Sequence, residues 1–199
     1  MKKFFLVILF LPFLMRANAQ SVRETRQWRQ LLQTLQDENW KDADSLSFFL
    51  LNKSAKNEQE EPAIATLRYM YIYSEAGLMS LRKRTQAQAL KNVAGFTGKY
   101  IALPAHPIVL GKGSNSIQMV SEKTDSLFVV STNKAATAIF SFEYIILGDK
   151  WPVDDFKNSA GKMFRLGGKI QSIQVEGNMF PRFRIIIEEG VYAPYRQYK

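Results

Sequence analysis

The spacing of the apolar residues changes once along this chain, near Gly95–Gly98, and that change limits what the chain can fold into. Before it, apolar residues recur every three or four positions, the period of an amphipathic helix. After it, short runs of β-branched and aromatic residues alternate with polar ones between Gly, Asn and Pro. Helices followed by strands predict an α+β architecture, with a helical layer over 20–97 and a β domain over 98–191.

Four helices are expected in the first part. Trp28, Leu31, Leu32 and Leu35 form the stripe of the first. Trp40, Ala43, Leu46, Phe49 and Leu50 form that of the second, opened by Asp37-Glu38. The third, about Pro62 to Leu81, has a broad apolar face of Ile64, Leu67, Met70, Tyr71, Ala76 and Leu78, widened by Tyr69, Ile72 and Tyr73. A helix with so little polar circumference belongs at the centre of a layer. Pro62 suits its first turn, and Arg82-Lys83-Arg84 suits its C-terminal end, where cations favour the dipole. Thr85 is placed to cap a short fourth helix running to Val93. This helical-hairpin layout is similar to a tetratricopeptide-type pair, but no second repeat follows.

In the second part, Lys99–Leu103 and Ile108–Leu110 flank a kink at Pro104-Ala105-His106-Pro107. Ser116–Ser121 and Leu127–Thr132 read as a hairpin, and Ala138–Leu147 as a long strand with Phe140, Phe142, Tyr144 and Ile146 on one face. Trp151 to Ala160 carries a brief helical signal. Met163–Val175 and Arg182–Glu188 bracket a Gly177-Asn178 turn, with a phase shift near Gly168–Ile173 that predicts a bulge. The segment Gly161-Lys162-Met163-Phe164-Arg165-Leu166-Gly167-Gly168-Lys169-Ile170, the Gly-Asn turn and Phe183–Ile187 together resemble the final hairpin of OB-fold domains. That resemblance implies a small antiparallel OB-like β-barrel with one short helix over 98–191, leaving 192–199 as a tail. The layout as a whole resembles uncharacterised exported proteins of Bacteroidota.

The first nineteen residues read as a signal peptide. Lys2 and Lys3 lead an apolar run from Phe4 to Met15, and Ala17-Asn18-Ala19 supplies the small-x-small pattern, with cleavage expected after Ala19. A retained anchor is the alternative, against which stand the short run and Pro12, since spanning takes about 20 apolar residues. Cleavage would leave a periplasmic or secreted chain with no further transmembrane segment. The loss of Lys2, Lys3 and Arg16 lowers the formal charge from +9 to +6. The excess is scattered, with no run of five or six like charges, so it permits an anionic partner without specifying one.

Several chemistries are excluded or disfavoured. With no cysteine and one histidine there is no disulfide, no thiol nucleophile and no clustered metal-ligand set, and no cofactor motif stands out. Gly111-Lys112-Gly113-Ser114 lacks phosphate-loop spacing. His106 could be a general base, but no nucleophile and orienting acid are marked out beside it, and a turn histidine is the simpler reading. Glu188 and Glu189, adjacent on a strand, are expected on opposite faces, and Asp154-Asp155 suits a helix N-terminus. No catalytic residue and no metal ligand is assigned.

The surviving candidate is a basic surface. If Phe164, Leu166, Phe183 and Ile185 face the core, then Arg165, Arg182 and Arg184 face outward on one hairpin, with Lys169 nearby. Phe128, Phe140, Phe142 and Tyr144 could stack bases, but their spacing assigns them to the core, which argues against nucleic acid. The expected function is therefore a non-enzymatic exported binding module of the bacterial envelope, with an envelope protein as partner. The alternative is binding of an anionic polymer through Arg165, Lys169, Arg182 and Arg184.

Overall fold

The computed structural model describes residues 25–54, 61–120, 126–134 and 141–195, and the side chains of all of these except 61 and 141–144. The signal peptide, Phe140 and the last four tail residues lie outside the described residues, as do the side chains of Phe142 and Tyr144. Four helices come first: α1 (Arg26–Gln36), α2 (Trp40–Ser54), α3 (Glu61–Ser80) and α4 (Gln86–Val93). Seven strands and one short helix follow: β1 (Tyr100–Ala102), β2 (His106–Pro107), β3 (Ile117–Met119), β4 (Ser126–Val130), β5 (Ser141–Leu147), α5 (Val153–Lys157), β6 (Met163–Glu176) and β7 (Arg182–Pro194).

Local chemistry sets the helix limits. The Thr25 hydroxyl accepts from the Trp28 amide and opens α1. Asp37 and Glu38 form the turn after α1, with Glu38 at φ 58°, and it is Asn39, accepting from the Asp42 amide, that opens α2. Thr85 and Gln88 form a reciprocal capping box on α4. The buried stripe of α2 runs through Trp40, Ala43, Ser47, Leu50 and Ser54, while Phe49 is exposed. Ser47 can take the inner position because its hydroxyl donates to the Ala43 carbonyl at 2.6 Å. Leu32 likewise turns outward from the α1 stripe.

Helix α3 is buried almost all round, through Ala63, Ile64, Ala65, Leu67, Tyr69, Met70, Tyr71, Ile72, Ala76, Leu78 and Met79. It packs on α2 at Gly77, where a Cβ would sit 2.1 Å from the Trp40 ring. Trp40 in turn meets Tyr73 edge-on at 5.1 Å. The other side of α3 lies on the sheet. Arg68 donates to the Tyr100 carbonyl at 2.6 Å, the Tyr69 hydroxyl bonds to Ser131 at 2.7 Å, and Tyr73 donates to the Thr132 carbonyl at 3.0 Å.

The sheet has the order β1-β6-β7-β5-β4-β3, with β2 also pairing β6; the ladders are antiparallel except β5–β7, which is parallel. The expected closed barrel does not form. Its two edges meet only at a single parallel bridge, Ile108 to Ile117. Pro104 and Pro107 remove ladder donors from the segment that would have to close the ring, and β1 and β2 are only three and two residues long. The sheet is mixed and open.

The expected bulge is present: register shifts occur between Gly167 and Lys169 and between Ile170 and Ser172. At Gly168 a Cβ would come within 2.5 Å of the Ile187 methyl, so β6 can cross β7 closely only with glycine there. Ile145 and Leu147 are the inward residues of β5, and Ile146 is exposed; Phe128 lies half-buried on the face opposite Leu127 and Val129. These are the reverse of the facing read from β-strand periodicity alone. Phe164, Leu166, Phe183 and Ile185 are buried as expected. Strand β7 continues into the segment read as a tail, and Tyr192 stacks on Trp151 at 3.8 Å beside Phe156 and Phe164. One apolar cluster runs without a break from α1–α4 into the sheet.

Gly77→Ala tests the α2–α3 contact. Alanine favours a helix over glycine by about 1 kcal/mol, but overpacking against Trp40 costs roughly 1–3 kcal/mol, so a net loss of up to about 2 kcal/mol is expected from denaturant midpoints. A variant more stable than the parent would mean that the indole is not held against α3.

Candidate functional site

The β6–β7 hairpin presents the most distinctive surface. Glu176 pairs Arg182 across the ladder, and Gly177, at φ 83°, starts the turn between them. Past the turn, Phe183, Ile185 and Ile187 point alternately into the core. The tip itself carries two consecutive large apolar residues in water: Met179 is 77% exposed and Phe180 68%.

A second segment lies beside the tip. The Gln86 side chain donates to the Gly177 carbonyl at 3.1 Å and brings the turn between α3 and α4 alongside the hairpin. That turn exposes Leu81, Arg82 and Lys83, with Arg82 in the left-handed region at φ 57°. Arg84, expected to face the α3 dipole with its two neighbours, is instead drawn inward by carboxylates.

Of the four cations named from the sequence, Arg182 and Arg184 stand together, both on Glu176 at 3.8 and 3.3 Å. Arg165 lies toward the far end of the hairpin, roughly 30 Å along the strand at about 3.3 Å per residue, with its guanidinium 4.8 Å from the Tyr195 ring centre. Lys169 lies between them, with its ammonium 3.8 Å from both Glu188 and Glu189. The two acids do not diverge as a regular strand would require. Glu189 is left-handed at φ 51°, and this irregularity turns both toward one lysine. Near the tip, Arg182 and Arg184 meet the carboxylate of Glu176, while Arg82 and Lys83 are exposed on the segment that Gln86 ties to Gly177. This end of the molecule thus carries basic side chains on two neighbouring segments as well as two exposed apolar ones.

A buried charge cluster ties α2, α3 and α4 behind this end. Arg84 reaches Glu75 at 3.0 Å and Asp44 at 3.2 Å, and Asn92 donates to Glu75 at 2.7 Å. The Asp44 and Glu75 carboxyls thus converge on one guanidinium. Burial pushes Glu75 up to about 7 and raises Asp44, and burial with the neighbouring acids raises Tyr71 as well. With two carboxyls sharing one guanidinium, the pair retains a proton near neutrality. Asp154 and Asp155 lie in the first turn of α5, as expected.

His106 is buried at the helix–sheet junction, where burial lowers its pKa, and it lines a cavity of about 260 Å³ whose lining includes no carboxylate among the described residues. Among the described residues no group of three His, Asp or Glu side chains could hold a metal ion, and no helix is long and apolar enough to cross a membrane.

The tip was legible in part. Met179-Phe180 directly after a Gly-Asn turn is an unusual place for two large apolar residues, but the docking of Gln86 beside it links positions 91 apart in the chain. Neither the inward turn of Arg84 nor the convergence on Lys169 has a local signal.

The buried pair makes stability depend on pH. The folded-state pKa of Glu75 stands above its ordinary 4.5, so its contribution is full below about pH 4.5 and is lost as pH rises through about 7. Relative to Glu75→Gln, the parent should lose on the order of a few kcal/mol of unfolding free energy between pH 5 and 8. Parallel pH profiles for the two proteins would place the proton elsewhere. Comparison with protein-family models, curated proteins and solved structures gives no match for this chain.

Proposed function

We propose that this chain is a non-enzymatic binding module of the bacterial envelope that docks onto an anionic lipid surface through the tip of its last hairpin. The observation that carries this reading is the exposure of Met179 and Phe180 at 77% and 68% on a turn that Gln86 ties to the segment bearing Arg82 and Lys83, with Arg182 and Arg184 following on β7. A tight turn needs no large apolar side chain, and such residues in water lose free energy that an acyl boundary returns. Cations near an apolar point match the headgroup layer of a bilayer carrying anionic lipid, each contributing about 1 kcal/mol near the surface. The leader read from the sequence would deliver the chain to a compartment bounded by such surfaces.

The β half is read here as an OB-type domain that has stayed open. Its support is the short helix before the final hairpin and the mid-strand glycines at the bend of β6. The competing function is a track for an anionic polymer along Arg165, Lys169, Arg182 and Arg184. Glu176, Glu188 and Glu189 interrupt that track with carboxylates at 3.3–3.8 Å from three of its four cations, which favours the tip.

Flotation with vesicles decides between them. The protein should float with phosphatidylcholine vesicles containing phosphatidylglycerol, less with phosphatidylcholine alone, and progressively less as salt rises. Met179→Ser with Phe180→Ser should weaken binding roughly tenfold or more, from loss of about 1.5–3 kcal/mol per buried side chain reduced by partial insertion. Flotation unaffected by this double substitution would reject the tip. Retention on heparin without flotation, lost in Arg182→Ala plus Arg184→Ala, would establish the polymer reading instead.

A further inference from the structure

We infer that the recess between α5, β3 and the segment following β2 binds the alkyl chain of a single-chain amphiphile, whose anionic head group rests on Lys112 and Lys157. The recess has a volume of about 330 Å³, inside the range of roughly 300–1,000 Å³ found for ligand pockets. It shares no residue with the hairpin tip or with the cavity beside His106. It lies just past the point where Ile108 and Ile117 meet in their single parallel bridge, with 109–112 on one side and β3 on the other.

Three parts of the chain supply its apolar surface. Val109 and Leu110 follow β2, Met119 comes from β3, and Val153 and Phe156 come from α5. Phe156 is buried and lies edge-on against Trp151 at 5.3 Å, which fixes the α5 wall. Leu110 is 62% exposed, so an alkyl chain laid against it removes apolar area from water. Hydrogen bonds join the walls to one another. The Val109 amide donates to the Ile117 carbonyl at 3.0 Å, the Gly161 amide to the Ile108 carbonyl at 2.9 Å, and the Gln118 side chain to the Gly113 carbonyl. The recess is thus held open in advance, and a ligand need not order it.

The charged part of the lining is of one sign. Val153, Phe156 and Lys157 stand at i, i+3 and i+4 on one face of α5, and Asp154 and Asp155 fall outside the lining. Lys112 supplies a second ammonium from the loop before β3. Both lysines are exposed, and among the described residues no carboxylate lines the recess. An anionic head group there meets cations from two separate elements, whereas a cationic one is repelled and a neutral one gains nothing from them. The volume admits one short chain and not the two chains of a membrane lipid. The chemistry thus selects a free amphiphile such as a fatty carboxylate.

Straight-chain carboxylates from butanoate to octanoate serve as probes, titrated into the ¹⁵N-labelled full protein, with 1-octanol as the uncharged comparator. Amide shifts should gather at 109–112, Met119 and α5, and affinity should rise roughly threefold for each added methylene. Octanoate should bind roughly fivefold or more tightly than octanol at low salt, and the gap should close as salt rises. Lys112→Glu with Lys157→Glu, both at exposed positions, should abolish that preference while octanol binds as before. Should the double variant fail to fold, Lys112→Glu alone should narrow it. An affinity independent of chain length would overturn the assignment, since ion pairing at the surface needs no tail. A preference for octanoate that survives the lysine substitutions would overturn it too, as would shifts confined to Met179 and Phe180, which would put the chain at the hairpin tip.

Discussion

Helix α3 buries apolar side chains around nearly its whole circumference, and a helix without a solvated face is stable in water only when other elements enclose it. The rest of the molecule is arranged by that requirement. Helices α2 and α4 cover part of α3, with α1 packed on α2, and the sheet covers α3 further through Arg68, Tyr69 and Tyr73. The polar atoms of these three residues are bonded to the sheet side, so the helix–sheet junction is specified by hydrogen bonds as well as by apolar burial. Gly77 allows Trp40 to lie directly on the helix, which brings α2 close enough for Asp44 to face Glu75. The buried charge cluster is therefore a consequence of the same packing.

That cluster and the hairpin tip use charge in opposite ways. Arg84 is surrounded by carboxyls inside the helical layer, where its removal would leave acids buried without a counter-charge. Arg82 and Lys83, two and one residues earlier, remain in water on the segment that Gln86 ties to the hairpin turn. Three consecutive basic residues thus divide between a structural role and a surface one. The left-handed backbone at Arg82 makes the division possible, because it ends α3 and reverses the chain so that position 84 points back.

How much of this could be read beforehand depended on whether the signal was local. The Thr85 cap, the Gly177 turn and the bulge near Gly168 each rest on residues within a few positions of one another, and each is found where the pattern placed it. The exchange of Ser47 for Phe49 in the α2 stripe was hidden because a serine bonded to its own helix can occupy an inner position. The facing of β5 was misread for a related reason: Ile145, Ile146 and Leu147 are all apolar, so alternation leaves the inward set undecided. Barrel closure failed on a non-local matter, whether β2 and β3 could make a full ladder, and a two-residue strand ending in Pro107, with Pro104 just before it, prevented it. At the site, the hairpin cations were identified, whereas their counterions and the apolar tip near them depend on contacts the linear pattern does not carry.

The open sheet also accounts for the position of the cleft beside His106. A closed ring would have joined β2 to β3 along their length, covering the region where the chain now meets only through Ile108 and Ile117. His106 belongs to β2, Asn115 precedes β3 and Ser131 follows β4, so the sheet side of the cleft is built around that gap. Leu32 and Leu35 of α1 and Met70 of α3 line the same cleft from the helical side. Pro104 and Pro107 flank His106, restricting the backbone that carries it and removing amides that could have taken part in further pairing. The features that keep the ring from closing therefore also leave one nitrogen of His106 buried without a hydrogen-bond partner among the described residues.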